Sequence, residues 1–332
     1  MAIQDNKLTE ALTVENPKYV LQVKDLNVSY SVANKRLMPA CLNVQFDLRA
    51  GESVGLLGES GAGKSTVAYA LMSLIEPPNV VSGEVLYGGR NVLKLSQRDL
   101  RKYRWNEIAM IFQAAMNSLD PIATVGKNIR ELILDKKVTR NKAEAKKIAL
   151  NRLELVGLSE DVYDMYPFEL SGGMKQRVVI AMSLVTNPKI LILDEPTTAL
   201  DTMTQYSVLS TIKALKKEGR IGTIILISHD ISVQAFMIDR LLVMLKGNVV
   251  EDAPIKTILA NSKHPYSQVL TGKLKMSAAK KVGSGASVGS STTTGCPFTS
   301  FCPYVMQKCY SEMPRLQTVD EDHKVACHLY GE

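Results

Sequence analysis

The chain has 332 residues, of which 45% are hydrophobic, and a formal net charge of +7. This length allows one large domain with an appendage, or two domains. The longest apolar runs have the length of strands, which excludes a membrane-spanning helix, and the polar N-terminus does not have the pattern of a signal peptide. The basic residues are scattered among Glu and Ala, which indicates a solvated surface and no nucleic-acid partner. We therefore expect a cytoplasmic protein.

The first chemical motif along the chain follows the apolar run at residues 53–57. Residues 58–65, GESGAGKS, fit the pattern G-x-x-x-x-G-K-[ST], and a helical stretch begins at Thr66. Strand, loop and helix in this order are the context that the pattern requires. Backbone N–H groups of such a loop surround phosphates, while Lys64 reaches the outer phosphates and Ser65 ligates Mg²⁺. The sequence therefore predicts a nucleotide phosphate site here.

Three further apolar runs end just before polar residues that suit nucleotide chemistry. Gln113 follows the first run, Asp194 and Glu195 the second, and His229 the third. Ligands of parallel sheets bind at the carboxyl ends of the strands, so we expect these side chains near the phosphates. We assign Asp194 and Gln113 to Mg²⁺, with Gln113 also touching the attacking water. Glu195 is assigned as the general base and His229 to the γ-phosphate. Taken singly, Gln113 and His229 also fit ordinary polar loop residues.

A second glycine-rich helix start lies at residues 170–177, LSGGMKQR. Ser171 is a good N-cap, and Gly172 and Gly173 allow an anion to approach the helix closely. A helix cap and nothing more is the simpler interpretation. One nucleotide cannot easily use two such helix starts that lie far apart in a single subunit.

The order of the patterns predicts the fold class. Residues 20–112 have the pattern of strands and turns around the phosphate loop, and residues 114–187 are richer in helix formers. Residues 188–260 alternate apolar strand runs with helical stretches, which is typical of a mostly parallel, covered sheet. Residues 277–295 are rich in Ser, Gly and Thr, so we place a flexible linker at 271–295. The predicted domains are residues 20–270 and an extension at residues 296–332.

These segments together resemble the ABC transporter ATPases over about residues 20–270. The loop at 58–65 is similar to the Walker A motif, residues 190–195 to Walker B, and residues 170–176 to the ABC signature. Gln113, His229 and residues 199–201 match the Q-, H- and D-loops. The resemblance implies an α/β fold with a P-loop NTPase (RecA-like) core, an antiparallel β subdomain and a helical subdomain at about 114–187. It also implies ATP hydrolysis coupled to transmembrane transport.

The resemblance also implies which residues contact ATP, with Tyr30 stacking on adenine. The nucleotide-contacting residues are Tyr30, Gly58, Ser60, Gly61, Gly63, Lys64, Ser65, Thr66, Ser171, Gly172, Gly173 and Asp201.

The family's assembly explains the two anion-binding helix starts. In this family two ATPase subunits face each other head to tail, and each ATP lies between the phosphate loop of one and the signature of the other. The implied partners are a second ABC ATPase, typically a different chain, two transmembrane permeases and a solute-binding protein. The subunit is expected at the cytoplasmic face of the cell membrane.

The C-terminal part of the chain resembles a narrower group, the oligopeptide/dipeptide importer ATPases. Residues 264–266, HPY, and the run from Gly295 to Tyr304 are similar to that group's extension. This implies import of peptides or related solutes, with oligosaccharides as an alternative. One departure from the family is Ala114-Ala115 after Gln113, where an acidic residue and Pro are usual.

Four of the five cysteines lie in this extension, while Cys41 stands alone in a strand-like segment and is expected to be buried. The resemblance implies that Cys296, Cys302, Cys309 and Cys327 ligate a [4Fe–4S] cluster. Their spacing matches neither paired zinc ligands nor ferredoxins, so the spacing alone does not choose between the two metals. Zinc therefore stays open as the alternative. We expect the extension to be dispensable for ATP chemistry.

Two other functions are compatible with parts of the pattern. A soluble ABC ATPase that acts on nucleic acid or ribosomes usually carries two cassettes, a long coiled coil or zinc modules, none of which the sequence indicates. A non-hydrolysing regulator is disfavoured, because Asp194, Glu195 and His229 are all present.

Overall fold

The structure, a computed structural model, describes residues 19–32, 36–275 and 294–331. The chain forms two compact units. The first contains the residues up to Leu48, then Ser53–Leu93 and the chain from Ser228 onward; the second contains Arg49–Glu52 and Lys94–Ile227. Of the predicted linker, residues 276–293 lie outside the described residues. Among the described helices, none combines the length and the apolar composition needed to cross a bilayer.

The strands are β1 (Tyr19–Val32), β2 (Arg36–Arg49), β3 (Ser53–Leu57), β4 (Val80–Tyr87), β5 (Arg90–Asn91), β6 (Ile108–Ile111), β7 (Ile190–Asp194), β8 (Thr223–Ile227), β9 (Arg240–Leu245), β10 (Asn248–Pro254), β11 (Gln317–Asp320) and β12 (His323–Val325). The helices are α1 (Lys64–Leu71), α2 (Gln97–Asn106), α3 (Val125–Asp135), α4 (Lys142–Leu155), α5 (Gly172–Ser183), α6 (Thr202–Lys217), α7 (Ile231–Met237), α8 (Ile255–Asn261), α9 (Pro265–Leu270) and α10 (Lys308–Ser311).

An antiparallel sheet of the first unit has the strand order β2-β1-β4-β5. Leu21 and Val23 of β1 are buried, and the register shifts between Lys24 and Asn27 before burial resumes at Leu26. A bulge of this kind adds one residue, so the apolar side chains on both sides of it point into the same core. This sheet is the predicted antiparallel β subdomain.

A second sheet of the first unit carries the phosphate loop and also incorporates the end of the chain. Its strand order is β11-β12-β10-β9-β3, with β3 parallel to β9 and the other neighbours antiparallel. The C-terminal strand β12 pairs with β10, with Val325 opposite Glu251 and Lys324 opposite Asp252. The extension is therefore hydrogen-bonded into the sheet that ends at the phosphate loop.

A buried carboxylate joins the extension to the rest of this sheet. Glu251 is fully buried, and its Oε1 lies 2.7 Å from Nε2 of the buried His323. The same carboxylate accepts hydrogen bonds from the backbone N–H groups of Lys263, at 2.6 Å, and His264, at 3.1 Å. Buried charges are tolerated where donors surround them, as they do here. Glu251 thus fixes β12 and the turn before α9 to the same point.

The second unit contains the strands β6, β7 and β8 in parallel, with Ile108 opposite Ile190 and Ile190 opposite Thr223. Every residue of these three strands is buried, as expected for parallel strands that are covered on both faces. The helices α3, α4 and α5 pack together through buried residues such as Ile129 and Leu153. They lie in the region predicted as the helical subdomain.

Two local expectations have different outcomes. Cys41 is buried in β2, as predicted, and burial raises the pKa of its thiol to about 12. The helix α2 was not predicted, because half of its residues are charged and only Leu100 and Tyr103 are buried. Its start does carry a local signal, since Ser96 caps it by accepting from the N–H of Asp99.

Replacing His323 by Ala tests the role of the buried carboxylate. The substitution removes one donor from Glu251, and we expect the free energy of unfolding to fall by about 2 kcal/mol, as for other hydrogen bonds to charged groups. Asp320→Asn is the control, since Asp320 makes an ion pair with Lys263 at 3.2 Å that is partly exposed and should contribute less than about 1 kcal/mol. Denaturant unfolding of both variants is the measurement. Equal losses would contradict the assigned role of Glu251.

Candidate nucleotide-binding site

The phosphate loop runs from the end of β3 to the start of α1 and is enclosed by two backbone segments of the first unit. Gly63 has φ +97°, and a Cβ there would lie 2.3 Å from the carbonyl oxygen of Ala40 in β2. From the turn between β9 and β10, the N–H of Gly247 donates to Ala62 O at 3.0 Å. Gly247 in turn accepts from the N–H of Leu42 at 2.9 Å. Only glycine fits at position 63, both in conformation and in space.

Lys64, at the start of α1, is folded back onto the loop. Its side chain is buried, and Nζ donates to the carbonyl oxygens of Gly58 at 2.8 Å and Glu59 at 2.9 Å. These contacts hold the ammonium at the mouth of the loop, where the positive end of a helix also favours negative charge. A phosphate oxygen would suit both the lysine and the N-terminus of α1.

Two more predicted residues of the first unit lie near this loop. The hydroxyl of Tyr30, a half-buried residue of β1, donates to Oγ1 of Thr66 at 3.3 Å. His229 is exposed and follows Ser228, whose N–H donates to Leu56 O of β3 at 3.3 Å. The end of β3 therefore brings His229 to the same region of this unit as the loop.

The predicted residues Gln113, Asp194 and Glu195 lie together at one edge of the second unit. Gln113 comes after β6, Asp194 is the last residue of the neighbouring parallel strand β7, and Glu195 follows it. Asp194 is 1% exposed, whereas Gln113 is exposed. The strand ends thus place carboxylate and amide oxygens, the ligands that Mg²⁺ prefers, on one edge.

Glu195 has an unusual backbone conformation. Its φ is +50°, a region in which residues other than glycine are strained, and its N–H donates to Ile227 O at 3.0 Å. Thr198 Oγ1 donates to the carboxylate Oε2 at 3.2 Å. Strain of this kind persists where the surroundings fix a functional side chain.

The glycine-rich helix start also lies in the second unit, at the start of α5. Ser171 caps this helix by accepting from the N–H of Met174 at 3.3 Å. A Cβ at Gly173 would lie 2.4 Å from Cγ2 of Thr204, so the glycine lets α5 approach α6 closely. Asp201 caps α6 by accepting from the N–H of Thr204 at 3.0 Å, and hydrogen bonds from the Thr204 side chain and then from this N–H lower the pKa of its carboxyl. Ser171 and Asp201 thus lie at the starts of two helices in contact.

A separate site lies in the first unit, where the four C-terminal cysteines line one cavity. Their neighbours there include His264 and Phe298, and the lining cysteines are Cys296, Cys302, Cys309 and Cys327. The N–H of Cys296 donates to Cys309 O at 2.8 Å, which holds two of the four segments together. Within the described residues, no three His, Cys, Asp or Glu side chains lie close enough together to hold a single metal ion.

Burial dominates the electrostatics of this cavity. It raises the pKa of the Cys296 thiol to about 12 and that of Cys327 to about 11. It lowers the pKa of the fully buried His264 to about 3, so that the imidazole is neutral. Because Nδ1 of His264 accepts from the N–H of Tyr266 at 3.0 Å, the ring proton lies on Nε2.

Comparison with known proteins identifies the family. The ABC transporter family matches residues 41–198, and the oligopeptide/dipeptide transporter C-terminal region matches residues 250–309. A dipeptide transport ATP-binding protein of Caldanaerobacter subterraneus is 37% identical over 94% of this chain and 98% of its own length. This chain belongs to the oligopeptide/dipeptide group of ABC transporter ATPases. It is therefore an ATP-hydrolysing subunit of a transporter.

One further relative and two solved structures are also similar to this ABC subunit. The oligopeptide transport ATP-binding protein OppD of Bacillus subtilis is 44% identical over 75% of this chain and 70% of its own length. The solved structure of cbiO1 from Clostridium perfringens, part of an ABC transporter complex, has a TM-score of 0.64 at 30% identity. The match covers 76% of this chain and 95% of the cbiO1 chain. A dimeric structure of the bacterial cassette MJ0796 has a TM-score of 0.62 at 31% identity, covering 71% of this chain and 98% of the other. The predicted cassette fold is confirmed.

Sequence reasoning missed part of what surrounds the ABC phosphate loop. Ala40, Gly247 and Tyr266 all contact it, and the motif names none of them. The pair Lys246-Gly247, in which both residues have positive φ, was visible as a turn between two apolar runs. Nothing in the sequence indicated that this turn would contact Ala62.

Two alanine substitutions in the loop should separate conformation from space. Gly61 has φ +79° and open space where a Cβ would lie. Gly61→Ala should therefore lower the free energy of unfolding only by the strain of a left-handed backbone, about 1–2 kcal/mol. Gly63→Ala adds the collision with Ala40 O, and we expect it to lower the free energy of unfolding by about 1–3 kcal/mol more. Chemical denaturation of both variants is the measurement. A milder effect at position 63 than at position 61 would contradict the described enclosure of the loop.

Proposed function

We propose that this chain energises an importer of peptides or related solutes by hydrolysing ATP. The observation that carries the proposal is the combination in one chain of an ABC cassette with the oligopeptide/dipeptide C-terminal region. A relative that aligns over 98% of its length is named as a dipeptide transport protein. Oligosaccharides are the second solute class. The alternative of a nucleic-acid or ribosome ATPase has no such support among these relatives.

The proposed assembly is that of an ABC importer. The subunit lies at the cytoplasmic face of the membrane and pairs head to tail with a second ABC ATPase, a different chain in our proposal. Two permeases and a solute-binding protein complete the transporter. In support, a cassette similar to this chain is described as dimeric, and the exposed Ser171 at the start of α5 offers backbone donors to a partner's nucleotide.

The roles of the nucleotide-site residues follow the motifs. Gly58, Ser60, Gly61 and Gly63 contact the phosphates through the backbone of the loop, and Lys64 exchanges its carbonyl partners for phosphate oxygens. Tyr30 stacks on adenine, and Thr66 completes the start of α1. The signature residues and Asp201 serve the partner's ATP. The contacts of Lys64 Nζ with the carbonyl oxygens of Gly58 and Glu59 support its role, because they keep the ammonium at the loop.

Glu195 is the proposed general base. It takes a proton from water as the oxygen attacks the γ-phosphorus, the bond to the bridging oxygen breaks, and ADP and phosphate leave. The hydrogen bond from Thr198 supports this role, since it orients the carboxylate. His229 contacts the γ-phosphate, and Gln113 orients the attacking water.

Ser65, Gln113 and Asp194 are the proposed ligands of Mg²⁺. Their hydroxyl, amide and carboxylate oxygens suit a hard cation. When bound, Mg²⁺ would neutralise charge on the phosphate oxygens.

The cysteine-lined cavity is the proposed site of a [4Fe–4S] cluster. A zinc ion needs its ligands about 2.3 Å from one point, and the described residues contain no such group of three. In support of a cluster, the number of thiols that line this one cavity is the number of ligands that a [4Fe–4S] cluster takes. When bound, the cluster would stabilise the thiolate form of these cysteines and tie the extension together.

Three substitutions should separate the proposed roles in ATP hydrolysis. Glu195→Gln removes the base and should lower turnover of the assembled transporter at least about 100-fold while ATP binding persists. Lys64→Ala should instead weaken ATP binding, because it removes a charge-assisted phosphate contact. Ser171→Arg should abolish turnover in the transporter while the isolated subunit still binds ATP. Turnover and nucleotide affinity, measured on all three variants, test the proposal; near-normal turnover of Glu195→Gln would remove Glu195 from its role.

The metal content of the purified protein tests the cluster. Protein prepared without oxygen should be brown and contain about four irons per chain. Cys309→Ser should lose most of this iron, whereas Cys41→Ala, outside the cavity, should retain it. Colourless anaerobic protein with stoichiometric zinc would contradict the assignment.

A further inference from the structure

A hydrogen bond connects the phosphate loop to the HPY segment, 207 residues away in the sequence. The backbone N–H of Glu59, the second residue of the loop, donates to the hydroxyl oxygen of Tyr266 at 3.1 Å. Tyr266 is 1% exposed, and burial raises the pKa of its phenol, so the hydroxyl stays protonated. None of the roles assigned above uses this tyrosine.

The two polar backbone groups of Glu59 are held from different directions. Its N–H is held by Tyr266, and its carbonyl oxygen accepts from Nζ of Lys64 at 2.9 Å and, within the loop, from the N–H of Ala62 at 3.1 Å. When Lys64 turns to a phosphate, the carbonyl loses that partner, whereas the bond to Tyr266 does not depend on the lysine. Tyr266 lies outside the loop, so its bond can fix Glu59 to the rest of the first unit in both states.

Tyr266 is itself fixed by its surroundings. Its backbone N–H donates to Nδ1 of His264, which caps α9, and the N–H of His264 donates to the buried carboxylate of Glu251. The tyrosine ring lies 5.5 Å, between centroids, from the ring of Phe298 in the extension. Such tilted aromatic contacts are favourable and orient both rings.

Phe298 also lines the cavity of the four cysteines, and its carbonyl oxygen accepts from the N–H of Cys302 at 3.0 Å. A continuous series of contacts therefore leads from the cysteine cavity through Phe298 and Tyr266 to Glu59. We propose that Tyr266 is a positioning residue for the phosphate loop, and that through it the C-terminal extension sets the affinity for ATP. This rests on the proposed role of the loop in binding ATP.

Tyr266→Phe tests the proposal, because it removes the hydroxyl and keeps the ring. We expect the Kd for a fluorescent ATP analogue with Mg²⁺ to rise about 2- to 10-fold, the effect of one lost hydrogen bond. The KM for ATP of the assembled transporter should rise by the same factor. Turnover at saturating ATP should stay within about twofold of wild type, since Tyr266 does not touch the reacting groups.

Tyr330→Phe is the matched control. Tyr330 lies in the extension, and its hydroxyl, like that of Tyr266, makes one hydrogen bond, to Lys263 O at 3.2 Å, but not to the loop. Loss of this hydrogen bond should leave the Kd for the ATP analogue unchanged. If Tyr266→Phe and Tyr330→Phe both bind ATP as the wild type does, the proposal is overturned.

A second variant covers the case in which Tyr266→Phe does not fold. Phe298→Leu keeps an apolar side chain and removes the ring contact, so the Kd should rise in the same direction; an unchanged Kd would overturn the proposal. Iron content is measured in parallel, because a raised Kd at normal iron content assigns the effect to the contacts and not to loss of a cluster. A wild-type protein that fails to bind ATP would instead contradict the proposed function itself.

Discussion

A loop that binds phosphate with its own backbone must leave most of its N–H groups available, so few of them can hold its shape. The shape has to come from neighbouring segments. In this chain Ala40 lies against Gly63, Gly247 donates to Ala62, and Tyr266 accepts from Glu59. Three parts of the sequence that are far apart thus enclose six residues. Much of the first unit can be understood as the scaffold that meets this requirement.

The same requirement explains why backbone approaches backbone so closely around the loop. A Cβ at Gly58 would lie 2.2 Å from Met244 O, just before the turn that holds Ala62. Glycine at that position lets β9 pass the loop at a distance at which no side chain fits. The glycines of the motif are therefore needed for the packing of the loop as well as for its chemistry.

Local patterns predicted the local features well. The phosphate loop, the strands before Asp194 and Ser228, and the buried Cys41 all follow from short runs of residues. The helix α2 was missed because its surface is mostly charged. The contact of Tyr266 with the loop could not be predicted. The HPY segment was recognised as a motif, but no residue near it in the sequence indicates that Tyr266 would bond to the phosphate loop. Pairing of the short strand β12 with β10 is long-range in the same way.

The extension also could not be recognised from the sequence as part of the cassette's own sheet. The predicted boundary at residues 271–295 separates two segments whose strands pair directly. A truncated protein that stops at this boundary would expose the edge of β10 and leave the Glu251 carboxylate without its histidine. An unpaired strand edge of this kind invites association between copies. Variants of this chain shortened to isolate the cassette would therefore tend to associate with one another, whereas variants that retain the C-terminal strands keep this edge paired.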